Sequence, residues 1–380
     1  MSNRSKKREW GFSLVEMVVA TALGTTVLGA AVSIYIQGVN ATWTVTQRAE
    51  MQQDFRAASN ILKNDLSLAG AGLTQGAAIA LPTSSTVPRY GCDQTLACYI
   101  NGASVNYPLN GGTPFLYGLL PGYGLGPTVN TMSTDIVTVI YTDPIFALNC
   151  YTATLTNATT VTFALPGTLT CTLPINLATP QAVNDAGVGL TAGDLILFTF
   201  GSTQIVAEVT NVSSDTVTFA SGDILKMNQA TTAPNSLAYT YTKSGSVTGT
   251  GQRILVITYY LDTTVTPSRM MRQISGHSPM PVAENIVYLN FTYDLFNTTT
   301  NTPALSQCSP GAASTAVSCN PSPGSVGMLP NQITKINIAH MDIDSTVKSG
   351  MYGGNGYQRM DLQTSVSARN LTYVNNYPQN

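Results

Sequence analysis

Charged side chains are scarce in this chain of 380 residues, making up only 9% of it, with 17 basic and 19 acidic residues. Average soluble domains carry roughly 25% charged residues. The formal net charge is −2, so nothing indicates a basic surface for broad nucleic-acid binding. Thr, Ser, Asn and Gly occupy the space instead, and this neutral, hydroxyl-rich composition suits an exported protein better than a cytosolic enzyme.

Residues suited to catalysis are also few. The chain has two histidines, His277 and His340, and a triad of His277, Ser278 and Asp342 is conceivable. No G-x-S-x-G elbow supports such a triad. Both histidines are therefore interpreted as turn or strand residues, and no enzymatic activity is expected.

Metal and phosphate sites are weakly indicated. The chain has no C-x-x-C pair, and its histidines lack the spacing of zinc ligands. The segment 342–345, Asp-Ile-Asp-Ser, offers oxygen ligands for calcium but lacks the glycine and distal glutamate of an EF-hand loop, which favours a solvated strand end. The glycine-rich segment 350–356 has no lysine, which favours a hairpin tip over a phosphate-binding loop. No metal and no cofactor are expected.

Proline is absent before Pro82, and the chain begins instead with a basic leader and a long apolar run. The leader has a net charge of +3, so the chain without it carries about −5. The run from Phe12 to Ile36 has 25 residues and would form about 37 Å of helix, enough to cross a bilayer. Positive charge before a span keeps that end cytoplasmic, which places the rest of the protein outside the cytoplasm. An ordinary secretory signal, with an apolar region of about 7–15 residues, fits less well.

One acid interrupts this run, because Glu16 is the only charged residue between Phe12 and Gln47. A charge in an apolar membrane segment costs on the order of 3 kcal/mol, so we expect Glu16 to have a partner. The motif G-F-S-L-V-E, from Gly11 to Glu16, resembles the class III signal of the type IV pilin superfamily. The alternative is a plain signal anchor with a chance glutamate.

The resemblance implies specific processing and partners. A prepilin peptidase would cut between Gly11 and Phe12, and the new N-terminal Phe12 would be methylated. Glu16 would pair with the N-terminal amine of a neighbouring subunit. The implied partners are other major and minor pilins, the peptidase, the inner-membrane assembly platform and the membrane itself.

The apolar run continues into a segment with helical periodicity. Apolar residues recur every three or four positions, at Met51, Phe55, Ala58, Leu62, Leu66 and Ala69. The opposite face is predicted to carry the charged residues Glu50, Asp54, Arg56, Lys63 and Asp65. We predict one helix from about Ser13 to Ala69, ended by the glycines of 70–72, with no proline kink. The helix could bend at three glycines, Gly24, Gly29 and Gly38.

Six cysteines, an even number, indicate disulfides in an exported protein. Fifteen pairings are possible, and the spacing favours neighbours: Cys92–Cys98, Cys150–Cys171 and Cys308–Cys319. Each pair would close a short loop worth about 2–3 kcal/mol.

Strand signals become frequent after an irregular stretch at 72–130. The predicted strands are Asp135–Thr142, Tyr151–Leu155, Thr160–Leu165, Asp194–Phe200, Gln204–Thr210, Thr216–Ala220, Leu237–Thr242, Arg253–Leu261, Arg269–Ile274, Asn285–Leu295, Gln332–Met341 and Asp361–Ala368. Short connections favour antiparallel pairing. The expected fold class is α+β, with a long N-terminal helix packed on a large antiparallel sheet of pilin-like type. The expected organisation is a leader (1–11), a membrane or filament-core helix (12–36), an amphipathic helix (37–71) and a β-rich head (72–380) with an inserted surface loop at 296–331.

Three further segments are similar to PilW-type minor pilins and to the J-type pseudopilins of type II secretion: 282–294, 362–371 and 192–197. The size of the chain favours the PilW type. The resemblance implies a minor pilin that assembles into, primes or caps a type IV pilus, with roles in adhesion, motility or DNA uptake. The alternatives are a minor pseudopilin or a membrane-anchored adhesin. The expected location is the inner membrane, as a single-pass protein with a periplasmic head, and then the pilus at the cell surface.

Overall fold

The structure, a computed structural model, describes residues 11–371 apart from a set of internal gaps. These gaps are 75–77, 85, 96, 99, 101–104, 130, 169–170, 172, 174–178, 298–301, 306–329 and 346–355. The leader, the Cys308–Cys319 pair, most of the predicted loop 296–331 and most of the hairpin tip 350–356 lie outside the described residues. The chain divides into two compact units, Met1–Gln53 and Asp54–Asn380.

The N-terminal helix α1 runs from Leu14 to Ser67, close to the predicted bounds. It passes without interruption through Gly24, Gly29 and Gly38, so the positions predicted as possible bends are ordinary helix. Threonine hydroxyls in the apolar half, including Thr21 and Thr26, donate to carbonyls three or four residues earlier. The polar atoms of these side chains are thus satisfied within the helix, as an apolar environment requires.

In the second unit, the last turns of α1 pack on the sheet. The predicted apolar positions from Phe55 to Ala69 are buried, and the helix ends where expected. Gly70 and Gly72 adopt φ of 77° and 73°, a region that favours glycine. The amide of Gly70 donates to the carbonyl of Ile140, so the helix end is bonded directly to a strand.

The described part of the chain contains 22 strands in chain order. The first eight are short: β1 (Ala78–Ala80), β2 (Arg89–Tyr90), β3 (Val105–Asn106), β4 (Leu109–Asn110), β5 (Thr113–Tyr117), β6 (Leu119–Gly122), β7 (Thr128–Val129) and β8 (Met132–Ser133). The next seven are β9 (Ile136–Thr142), β10 (Thr152–Asn157), β11 (Thr160–Ala164), β12 (Leu195–Phe200), β13 (Thr203–Glu208), β14 (Asn211–Ser213) and β15 (Thr216–Thr218). The last seven follow a second helix, α2 (Leu237–Ser244), and are β16 (Val247–Asp262), β17 (Arg269–Ile274), β18 (Met280–Glu284), β19 (Ile286–Asn297), β20 (Thr302–Leu305), β21 (Ile333–Asp344) and β22 (Arg359–Ser367). Single 3-10 turns lie at Leu148–Cys150 and Pro330–Gln332.

The strands form one large and one smaller sheet, with three small additional ones. The large sheet has eleven strands, and β16 pairs along its length with β10, β12, β9 and β17. The second sheet has the order β20-β19-β21-β22. Every described ladder between named strands is antiparallel, which confirms the predicted α+β class with a long helix and a large antiparallel sheet.

Asp135, directly before β9, links the two main sheets. Its amide donates to the carbonyl of Leu289 in β19, and its carboxylate accepts from Gly124 N, Phe291 N and the amide side chain of Asn290. Burial raises the pKa of this carboxyl to about 6, against the lowering effect of those hydrogen bonds. The hydrogen bonds to Asp135 join the smaller sheet to the larger one. Their donors favour the ionised form of this acid.

Several predicted elements are wrong. Leu237–Thr242, predicted as a strand, is part of helix α2, because the Ser236 hydroxyl accepts from Tyr239 N as an N-cap and Gly245 ends the helix with φ of 67°. The stretch 72–130 is not simply irregular, since it contains β1–β7. The short edge strands β14, β18 and β20 were not predicted, and β20 pairs with β19 inside the segment 296–331 that was predicted as a loop.

Two disulfides are present, Cys92–Cys98 and Cys150–Cys171, and both match the predicted near-neighbour pairing. The first closes a loop with a sequence separation of 6 and the second one of 21. Cys150 lies in the core formed by the faces of β10–β12, so the second bond ties Cys171 to that core.

Replacing Cys150 and Cys171 together by alanine should lower the free energy of unfolding by about 3 kcal/mol, and the same change at Cys92 and Cys98 by about 2 kcal/mol. The order follows from loop length, because the longer loop restricts the unfolded chain more. Urea unfolding of the full-length chain in detergent measures both losses. A larger loss for the shorter loop would contradict the entropic account.

Candidate functional site

The site predicted from sequence lies at the start of α1, where Gly11, Phe12 and Ser13 precede the first helical turn. Ser13 and Glu16 bond reciprocally: Ser13 N donates to Glu16 Oε2 at 2.9 Å, and Glu16 N donates to Ser13 Oγ at 3.2 Å. This S-x-x-E arrangement is a capping box, which satisfies backbone donors that the first turn leaves unpaired. The capping box fixes where the helix begins, directly after the predicted cleavage bond.

Glu16 has capacity for a further partner. Among the described residues, the only hydrogen bond to its carboxylate comes from Ser13 N. A carboxylate accepts several hydrogen bonds, and a helix N-terminus favours negative charge. Glu16 therefore presents an exposed acceptor beside Phe12, which is 87% exposed.

The side chains that surround this acid are apolar and exposed. They extend along the helix and include Phe12, Leu14, Val15, Met17, Val18, Val19, Leu23, Val27, Leu28, Val32, Ile34, Tyr35 and Ile36. Within the described part of the chain, α1 is the one helix long and apolar enough to cross a membrane. Exposed apolar surface of this length calls for burial in lipid or against other helices. The apolar helix is consistent with a membrane anchor or a signal, and the disulfides with a head outside the cytoplasm.

At the other end of the helix, Asp65 forms a buried ionic cluster with the sheet, which we call the Asp65 cluster. Tyr141 OH donates to Oδ1 at 3.0 Å, Tyr259 OH donates to Oδ2 at 2.6 Å, and Arg272 Nε donates to Oδ2 at 2.8 Å. These partners come from β9, β16 and β17, so one helical side chain bonds three adjacent strands. The cluster fixes the end of α1 on the face of the large sheet.

Asp65 was predicted on the polar face of the helix, and this is wrong, because its exposure is 4%. Its position three residues after Leu62 and seven after Ala58 puts it on the apolar stripe. Burial and the neighbouring Asp65 raise the pKa of Tyr259 and Tyr141, so both phenols remain donors at all ordinary pH. Burial acts to lower the pKa of Arg272, but the adjacent carboxylate of Asp65 raises it overall. The cluster therefore consists of one ion pair, Asp65 with Arg272, and two uncharged phenol donors, Tyr141 and Tyr259.

Two buried acids, Glu208 and Asp223, link the loop after β15 to the loop closed by the Cys92–Cys98 disulfide. Glu208, 1% exposed, accepts from Gln94 Nε2 at 2.6 Å and from Leu225 N at 2.8 Å. Asp223 accepts from Met227 N and Asn228 N. Burial, followed by the adjacent Asp223, raises the pKa of Glu208 to about 8. With this raised pKa, the carboxyl of Glu208 is protonated at neutral pH.

The stability of the protein should consequently fall as pH rises from about 6 to about 8, by up to about 1.4 kcal/mol per pH unit, and level off above that range. The sign follows because folded Glu208 holds a proton that the unfolded chain has already lost, and below about pH 6 the raised pKa values of Asp135 and Asp342 act in the same direction. The variant Glu208→Gln copies the protonated acid and should flatten the dependence between about pH 6 and 8, whereas Glu284→Gln, at an exposed position, should not. Urea midpoints measured between pH 6 and 9 test this; equal slopes for wild type and Glu208→Gln would contradict it.

The residues of the conceivable catalytic triad are not assembled as such. His277 Nε2 lies 2.9 Å from Asp194 Oδ1, and Ser278 Oγ donates to Asp93 Oδ2 at 3.4 Å. Asp194 also receives Arg253, whose guanidinium is bonded to Asp143 as well. Arg253 and Asp143 line an open cavity of about 400 Å³, and there the guanidinium of Arg253 is bonded to the carboxylate of Asp143.

The segment predicted as a solvated strand end belongs to β21, where Asp344 is bonded through both oxygens to Arg359 in β22. Asp342 is registered opposite Asp361, and this like charge, after burial, raises the pKa of Asp342 to about 6. His340 Nδ1 lies 3.1 Å from Asp361 Oδ2, so its imidazole faces the acid pair. His340, Asp342 and Asp361 place one ligand atom each within 4.8 Å of one another, a group that the sequence pattern did not indicate.

The outcome at the predicted positions is therefore mixed. Gly11, Phe12 and Glu16 lie together at the helix start, and four of the six cysteines form the predicted bonds. The Asp65 cluster was missed because its members are far apart in sequence. The Glu208–Asp223 pair was missed because a strand end and a loop bring the two acids together, and no local motif marks that contact. The architecture, a long N-terminal apolar helix followed by an antiparallel sheet domain, is consistent with a pilin-like protein. No protein-family model, no curated protein and no solved structure matches the chain.

Proposed function

We propose that the chain is a minor pilin that assembles into, primes or caps a type IV filament through its N-terminal helix. The observation that carries this proposal is Glu16, the single charge between Phe12 and Gln47 in the exposed apolar half of α1, held in the first helical turn four residues after Phe12. A filament core of packed helices would bury the apolar surface. It would also bring Glu16 to the amine of a neighbouring Phe12.

The free energy of the subunit in the membrane depends on whether the charge of Glu16 has a partner. In lipid, an unpaired carboxylate is unfavourable by several kcal/mol, and pairing with an ammonium removes most of that cost. A subunit in the membrane is thereby driven toward a neighbour with a free N-terminal amine. The partners proposed are major and minor pilins, a prepilin peptidase and an inner-membrane assembly platform.

The head favours a terminal or priming position over a repeating shaft subunit. The second unit runs from Asp54 to Asn380, more than 300 residues. In a filament, every subunit would have to fit a head of this size around the core of packed helices. Heads of this size at every position would crowd a uniform helical shaft, whereas a single head at the filament tip would have room.

The test is the mass and position of the mature chain in its native cell. Intact-mass analysis of the full-length protein should show a chain that begins at Phe12 with one added methyl group. Sheared filaments should contain it in trace amounts beside an abundant pilin. A chain in the membrane that still begins at Met1 would overturn the proposal, as would its absence from filaments.

A further inference from the structure

One outer face of the large sheet carries threonine in register across neighbouring strands. Four strands contribute a hydroxyl–x–hydroxyl motif: Thr152-Ala-Thr154 in β10, Thr160-Val-Thr162 in β11, Thr216-Val-Thr218 in β15 and Thr248-Gly-Thr250 in β16. The edge strand β14 adds the amide of Asn211 and the hydroxyl of Ser213. We call this the threonine face. The alternate residues of these strands, among them Ala153, Val161 and Val217, point to the other side and form a buried core.

The registers align the hydroxyls into rows. One row crosses five strands through direct cross-strand partners, in the order Thr248, Thr154, Thr162, Thr216 and Ser213. A second row runs Thr199, Thr250 and Thr152 on β12, β16 and β10. Neighbours are about 4.8 Å apart across strands and about 6.8 Å apart along them. The result is a two-dimensional lattice of hydroxyl and methyl groups.

These hydroxyls are available to water. Within the described part of the chain, none of the eight side chains in the two rows makes a hydrogen bond to protein. Each residue is half-buried or exposed, and the β-branched threonines have restricted side-chain torsions. The lattice is therefore stiff and hydrated, with its hydroxyls unsatisfied by the fold.

The chemistry of this face excludes most ligands. Its outward strand positions carry no charge to attract ions or charged mineral surfaces, and no aromatic ring for a sugar to stack on. A dry protein interface would strip water from hydroxyls without replacing their hydrogen bonds. The remaining occupant is one that continues a hydrogen-bonded water network at fixed repeats.

We propose that the threonine face binds ice. Ice presents hydrogen-bonding oxygens at repeats of comparable length to both spacings of the lattice, and its surface is uncharged. Water ordered on the hydroxyl and methyl rows can join a growing ice surface. Because sheets twist from strand to strand, contact should centre on Thr154 and Thr162 in the middle of the longer row. The proposal goes beyond the filament role and stands or fails separately from it.

The test uses full-length chain in lipid nanodiscs. Ice is grown slowly from a dilute solution, and the protein concentration in the ice is compared with that in the remaining liquid, with empty nanodiscs as reference. Wild type should be enriched in the ice above the empty-nanodisc level. Thr162→Lys should lose that enrichment, and Thr162→Val should reduce it, because the isosteric change removes only the hydroxyl.

The matched control is Thr203→Lys, an exposed threonine on β13 whose partner Phe200 belongs to the opposite face. This variant should remain enriched like wild type, and thermal melts of all variants establish that they are folded. Exclusion of wild type from ice overturns the proposal, as does equal enrichment of Thr162→Lys and wild type. Retention on microcrystalline cellulose or chitin without enrichment in ice would assign the face to a polysaccharide and also overturn it.

Discussion

Replacing Glu16 by alanine should abolish incorporation of the chain into filaments while leaving its amount in the membrane unchanged. In the proposed assembly, the carboxylate neutralises the ammonium of a neighbouring chain in a low-dielectric core. Removing one partner of such a pair costs about 3–5 kcal/mol, which lowers the equilibrium for joining by more than about a hundredfold. Immunoblots of sheared filaments and of membranes measure the two pools.

The capping box makes it possible to separate charge from helix structure. Glu16→Gln keeps a side chain that can accept from Ser13 N but removes the charge, so it should fail in assembly like alanine. Ser13→Ala disrupts the box and costs the helix start about 1 kcal/mol, yet it leaves the charge and should still assemble. Glu50→Ala, at an exposed position on the same helix, is the matched control and should behave like wild type. Normal assembly of Glu16→Gln would show that the acid acts only as a cap.

The sequence was sufficient for elements whose signal is local. The helix from Leu14 to Ser67 and strands such as β9, β11 and β17 follow from periodicity within a short window, and near-neighbour cysteines follow from spacing. Helix α2 was missed because Leu-Ala-Tyr-Thr-Tyr-Thr alternates like a strand. Its helical state is supported by the Ser236 hydroxyl at the N-cap, by Gly245 at the C-terminal end and by the burial of Leu237 and Ala238.

The charged interior could not be predicted in the same way. The partners of Asp65 lie 76, 194 and 207 residues away in sequence, and Gln94 lies 114 residues from Glu208. Only the pairing of β9, β16 and β17 brings them together, and nothing in local periodicity fixes that order. The position of Asp65 on the apolar stripe was the one available signal, since a buried acid requires donors.

The Asp65 cluster leads to the second large effect: Asp65→Ala should lower the free energy of unfolding of the second unit by about 3–5 kcal/mol. The loss exceeds that of a hydrogen bond because the change leaves Arg272 without a counterion in a partly buried site. Tyr259→Phe removes one donor to the carboxylate and should cost about 1.5–3 kcal/mol. Asp54→Asn, an exposed acid on the same helix, should change stability by less than about 0.5 kcal/mol. Urea unfolding of full-length chain in detergent, followed by near-UV circular dichroism, measures all three.

A double variant tests the cause of this loss. If the cost comes from an orphaned guanidinium, Asp65→Ala combined with Arg272→Met should cost clearly less than the sum of the two single changes, because no unpaired charge remains. If the cost came only from lost packing at the helix end, the two changes would add. Additivity within about 0.5 kcal/mol would therefore contradict an ionic role for Asp65, and the attachment of α1 to the sheet would have to be assigned to Phe55, Ala58, Leu62 and Leu66.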